Sequence, residues 1–127
     1  PGASDFQMLE TGKAGRHLYE QVIDTARQWG SAENTMFVAG ATHSEQLKKI
    51  RQIVPDHFLL VPGIGAQGGS LEEVSRTGLN KQGGLLVNAS RSIIFSDSSK
   101  NFDVSARDQA VKMNRQMERL LNEKELL

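Results

Sequence analysis

The chain contains no cysteine, only three prolines, one tryptophan and one tyrosine, and its charges cancel. Each shortage closes off a class of function. Without thiols there can be no disulfide framework, no thiolate metal centre and no cysteine nucleophile, and such a composition suits a reducing compartment such as the cytoplasm. Fifteen basic residues balance fifteen acidic ones, so no net field draws in nucleic acid or an anionic membrane. Any anion site has to be built locally. No apolar run approaches the roughly 20 residues that a membrane-spanning helix needs. His17, His43 and His57 lie too far apart in sequence to form a helical metal pair, so no metal is expected. With 38% hydrophobic and 24% charged residues the chain is too apolar for disorder, and 127 residues allow one domain without requiring a whole one. The opening PGASDFQ resembles neither a signal peptide nor a presequence, and a start at Pro1 instead of Met predicts an upstream portion.

The residues from Pro1 to Ala14 carry Gly, Ser, Asp and Thr without a clear period and read as a loop. Leu18, Val22, Ala26 and Trp29 then recur at helical spacing and Gly30 follows, which predicts a helix over 15–29. Met36 to Ala41 is a short continuous apolar run, the pattern of a strand buried on both faces. Thr42 and Glu45 are spaced as a capping box for the next helix, whose apolar face is Leu47, Ile50 and Ile53 and which closes at Pro55. A second buried strand over 57–61 runs into PGIGAQGG. A second capping box, Ser70 and Glu73, opens a helix that Gly78 ends. A third strand over 85–89 leads to Ser90 and Arg91, and a final helix from about Phe102 places Ala106, Ala110, Met113, Met117 and Leu120 on one face. Strands separated by helices imply parallel pairing through right-handed crossovers, hence an α/β fold. Three strands make a poor sheet, and a (β/α)₈ barrel takes about 250 residues. The organisation is that of half a barrel.

Gly63, Gly65, Gly68 and Gly69 lie between a buried strand and a capped helix. Glycines there let the backbone approach a ligand closely, and N–H groups at a helix start can hold an anion. The same loop also serves as a mere tight turn, and both readings stand on the loop alone. Arg91 leaves the C-terminal end of the following strand, where neighbouring parallel strands bring their loops together. A guanidinium opposite backbone N–H groups suits a phosphate dianion, the competing role being a surface ion pair.

PGASDFQ, VAGATHSEQLKKIR, FLLVPGIGAQGG and LLVNASRSII, in that order, resemble the successive strand-end signatures of the orotidine 5'-phosphate decarboxylases, in particular the bacterial branch with a PGxGxQGG loop. The resemblance runs from Pro1 to about Phe95, with the last helix in its expected place. It implies the C-terminal half of a (β/α)₈ TIM barrel over 1–127, from a homodimeric cytoplasmic lyase of pyrimidine biosynthesis. That family decarboxylates orotidine monophosphate to uridine monophosphate without metal or organic cofactor. Carried over by position, Gln67 bridges the phosphate and the pyrimidine, and Arg91 is the phosphate cation. Backbone around Gly68, Gly69 and Ser90 completes the grip, and Pro62 and Ile64 border the base. Ser90 stands where close relatives have glycine. Pro1, Gly2 and Ala3 fall in the loop after the fifth strand. The family's catalytic Asp-x-Lys-x-x-Asp is absent: the residues two places before Lys13, Lys48, Lys49, Lys81, Lys100, Lys112 and Lys124 are Thr11, Gln46, Leu47, Leu79, Ser98, Ala110 and Asn122. No catalytic residue is assigned. The alternatives are a non-catalytic phosphate-binding half-barrel and another phosphosugar lyase or epimerase of the same barrel superfamily, against which Gln67 argues.

The remaining candidates have plain readings. His43 reads as a solvated residue in a first helical turn, and His57 as the structural end of its strand. Asp5 reads as a cap or turn former, and Met113 and Met117 as core filling. Lys48, Lys49 and Arg51 read as the solvated face of their helix.

Overall fold

The computed structural model describes residues 4–7, 9–11, 15–65 and 68–127. Its elements are α1 (Ser4–Gln7), β1 (Glu10–Thr11), β2 (Arg16–His17), α2 (Leu18–Ala26), β3 (Phe37–Val38), α3 (Ser44–Ile53), β4 (Leu59–Pro62), α4 (Leu71–Gly78), β5 (Leu85–Asn88), α5 (Arg91–Ile94) and α6 (Phe102–Asn122). β3, β4 and β5 form one parallel sheet in that order, with a helix between successive strands. The architecture is α/β, that of part of a (β/α)₈ barrel.

The first segment departs from the loop expected of it. α1 occupies four residues, and β1 pairs antiparallel with β2, Glu10 opposite His17. The Gln21 amide donates to Thr11 O at 2.7 Å and Arg16 O at 3.2 Å, tying this hairpin to α2. Because Arg16 and His17 are committed to the hairpin, α2 begins at Leu18 and not at Gly15. Its N-terminus is held by the His17 N–H donating to Glu20 Oε2 at 2.9 Å. Asp5 lies in the first turn of α1 and is exposed.

The Thr42–Glu45 box does not form. His43 is the N-cap of α3, without a side-chain hydrogen bond, so Thr42 falls outside the helix and Glu45 arrives one position early. Ser70 does cap α4, its hydroxyl accepting from the Glu73 N–H at 3.4 Å.

Register decides which side of the sheet is covered. Phe37, Leu59 and Leu85 align across the three strands, as do Val38, Leu60 and Leu86 one residue on. Successive side chains point to opposite faces. Leu59 and Val61 are fully buried and join Leu47, Val54, Val74 and Leu120 in one core, with Met113 and Met117 packed against it as core filling. The other row stays open: Val38 is 69% exposed and Leu86 53%. Strands expected to be buried on both faces are thus covered on one, because α3, α4 and α6 all contribute to the same core and no described element lies on the opposite side.

Arg51 also departs from expectation. Lys48 and Lys49 are exposed as expected, but Arg51 turns inward. Its Nε donates to Gly78 O at 2.9 Å. Its Nη1 donates to Val54 O, Pro55 O and His57 O at 2.9, 3.2 and 2.6 Å, and its Nη2 to Gly84 O at 2.9 Å. A guanidinium has five N–H donors in a planar fork and can serve several carbonyls at once. It ties the end of α3 and the approach to β4 to the end of α4 and the approach to β5. Burial lowers the guanidinium pKa from its ordinary value, with Asp56 acting in the opposite direction.

Two outcomes follow from this packing. Arg51→Met should cost about 3 kcal/mol with an unchanged m-value in chemical denaturation, since several carbonyls lose a charged donor together; a loss below about 1 kcal/mol would remove Arg51 from this role. The chain alone should self-associate through its uncovered sheet face, and Val38→Lys with Leu86→Lys should shift it to monomer in sedimentation velocity. An unsubstituted chain that sediments as a monodisperse monomer contradicts this.

Candidate functional site

The three strands deliver their C-terminal ends to one level. Pro62 aligns with Asn88, and Ala41 N–H donates to Pro62 O at 3.1 Å, extending the β3–β4 ladder past its assigned end. The glycine loop after β4 and the turn into α5 therefore leave the sheet side by side.

The loop folds back on itself. Gly65 N–H donates to Gly69 O at 3.0 Å, Gly68 N–H to Gly65 O at 2.9 Å, and Gly69 N–H to Gly63 O at 3.3 Å. Two positions require glycine for different reasons. Gly65 has a φ of +80°, which side chains disfavour, and a Cβ there would lie 2.9 Å from Ser92 Oγ. At Gly69 a Cβ would lie 2.5 Å from the Cβ of Ala41 and 2.8 Å from Gly63 O, so the obstacle is close approach of backbone to β3's continuation. The N–H groups of Gly68 and Gly69, expected to face an anion, donate within the loop instead. The helix-start N–H groups of α4, which helical geometry leaves without intrahelical acceptors, remain beside it. Ile64, expected to border a ligand, is 4% exposed and belongs to the core cluster. Pro62 is half-buried as the last residue of β4.

Ser90 is the N-cap residue of α5 and its hydroxyl donates to Asn88 Oδ1 at 3.3 Å. Arg91 opens α5, exposed, and among the described residues it has no ion-pair partner. The nearby Asp97 does not supply one. Its carboxylate accepts from Ser99 N–H and Ser99 Oγ at 2.8 and 2.6 Å, and these donors hold its pKa below the ordinary value. The Ser92–Gly65 approach puts α5 directly against the glycine loop, so Arg91 springs from an element touching that loop. Sequence reasoning missed α5 and Ser92; a serine before Arg-Ser-Ile-Ile at a strand end was the available helix-start signal. Gln67, Pro1, Gly2 and Ala3 lie outside the described residues. His43 is exposed at the N-cap of α3, while both His57 ring nitrogens are buried, with Phe37 tilted against the ring at 5.4 Å. Among the described residues no cluster of His, Asp or Glu could hold a metal.

No family model matches the chain. Individual relatives do. The chain is 52% identical over 126 residues to an orotidine 5'-phosphate decarboxylase of Porphyromonas gingivalis, with 99% of this chain and 45% of that protein aligned. A counterpart from Christiangramia forsetii is 53% identical over 116 residues, 91% of this chain and 42% of that protein. The chain is a homologue of one segment of the orotidine 5'-phosphate decarboxylases. Solved structures agree on the fold. The Leishmania donovani OMP decarboxylase superposes with a TM-score of 0.69 at 33% identity, covering 90% of this chain and 43% of that one. The UMP synthase of the same organism gives 0.71 at 36%, covering 89% and 25%. The chain thus spans less than half the length of the decarboxylases it matches.

Loop geometry predicts an order of tolerance. Gly69→Ala should destabilise by at least about 2 kcal/mol, because backbone must move. Gly68→Ala, with open space but a φ of +87°, should cost only about 1 kcal/mol. Thermal denaturation of both variants checks the order, and equal losses would contradict the close approach at Gly69.

Proposed function

We propose that this segment supplies the phosphate-holding part of an orotidine 5'-phosphate decarboxylase, which converts orotidine monophosphate to uridine monophosphate and carbon dioxide in pyrimidine biosynthesis. The observation that carries the reading is the contact of the glycine loop with α5, which brings Arg91 to the loop at the shared C-terminal level of β4 and β5. Identity near 50% to decarboxylases over almost the whole chain supports it.

In this reading Arg91 pairs with the substrate phosphate, assisted by N–H groups at the start of α4, by Ser90, and by the Gln67 amide reaching from phosphate toward the pyrimidine. Pro62 and the Ile64 backbone border the base. The acid that protonates the ring carbon as carbon dioxide leaves is the lysine of an Asp-x-Lys-x-x-Asp motif in the portion of the protein outside this chain. Phosphate binding is remote from the reacting carbon, so its free energy acts by positioning the ring for that lysine. No metal or organic cofactor takes part. The whole enzyme is a cytoplasmic homodimer with a small-molecule substrate and no role for nucleic acid or membrane; no described helix is long and apolar enough to cross a bilayer.

In the full-length protein Arg91→Ala should lower kcat/KM for orotidine monophosphate roughly 100-fold or more, about 3 kcal/mol of transition-state binding. Turnover of the phosphate-free nucleoside should stay unchanged. Equal losses on both substrates, or none on either, would refute the phosphate role.

A further inference from the structure

We infer that the cleft between the glycine loop, α5 and α6 is a second binding site, for a small metabolite carrying a phosphate or carboxylate. The cleft encloses about 310 Å³. That is near the lower end of the range for small-molecule sites, which fits a compact ligand. Gly65, Ser70 and Ser92 line it from the loop side, and Gln109, Lys112 and Gln116 from α6. The three α6 residues are spaced i, i+3 and i+7, so they form one polar stripe on the helix face turned to the loop. Met113, between them, marks where that stripe meets the core.

The chemistry favours an anion. Lys112 is the single charged residue of the lining, and no carboxylate accompanies it. Two carboxamides and two hydroxyls supply further donors without adding negative charge. The Ser92 hydroxyl oxygen is buried and has no hydrogen-bond partner among the described residues. Leaving a buried hydroxyl unpaired costs about 1–3 kcal/mol, so a ligand oxygen is a fitting acceptor for it.

The cleft adjoins the surface assigned to the nucleotide without coinciding with it. Arg91, Pro62 and Gly68 do not line it. Ile64 and Gly69 belong to both, so an occupant of the cleft touches the loop from which the nucleotide is held and couples to nucleotide binding by linkage.

The test is calorimetric titration of the full-length protein with inorganic phosphate at matched ionic strength. The unsubstituted protein should bind two phosphate ions per chain. Lys112→Met should remove one or weaken it at least tenfold, Lys112→Arg should retain it, and Ser92→Ala should weaken it several-fold. Arg91→Ala should remove only the other. Lys112 is exposed on a helix, and equal melting temperatures for the Met and Arg variants establish that loss of the charge is responsible. An isotherm that Lys112→Met leaves unaltered overturns the inference. If Arg91→Ala has no effect while Lys112→Met does, the nucleotide reading fails and the cleft stands.

Discussion

A single guanidinium holds the crossovers of this sheet together. Arg51 gathers carbonyls from the close of two helices and from the approaches to the two strands that follow, all at the end opposite the glycine loop. These are backbone groups that irregular segments leave unpaired, and a buried carbonyl without a donor is costly. Gly84 O receives both the Arg51 Nη2 and the Leu59 N–H, so the side chain and the β4–β5 ladder share an acceptor. With the strand entrances tied in this way, β4 and β5 keep one register over four residues and their exits fall level. The candidate site depends on that levelness.

The two ends of the strands are built differently. At the entrances Arg51 and the Asn80 amide, which donates to Pro55 O at 2.9 Å, pin the turns. At the exits the chain has glycine where side chains would collide, and it places a short helix where Ser92 meets Gly65. The loop's N–H groups are largely occupied by its own carbonyls. Beside that frame Arg91 is exposed and, among the described residues, has no carboxylate partner.

Much of this was legible in the residues. Continuous apolar runs marked all three parallel strands, the Ser70–Glu73 spacing marked the start of α4, and the glycine pattern followed by Ser90-Arg91 marked two segments that meet at the strand exits. What escaped was tertiary in origin. The hairpin of β1 and β2 has no apolar period to betray it and is held by Gln21 reaching back from α2. Arg51 sits beside two lysines, and composition cannot tell a guanidinium that turns inward from one that points to water. Ser92 had no reason to stand out until α5 brought it against Gly65. Strand burial was overestimated because a continuous apolar run reports the finished barrel, and the described chain covers only one face.

That open face bears on kinetics as well as stability. No described element covers Val38 and Leu86, and contacts that close such a row from residues remote in sequence form slowly. The helix-side core, assembled between neighbours along the chain, can close first. The row is then left as the last surface to be finished, and the hazard it carries is set by how long it waits more than by how large it is.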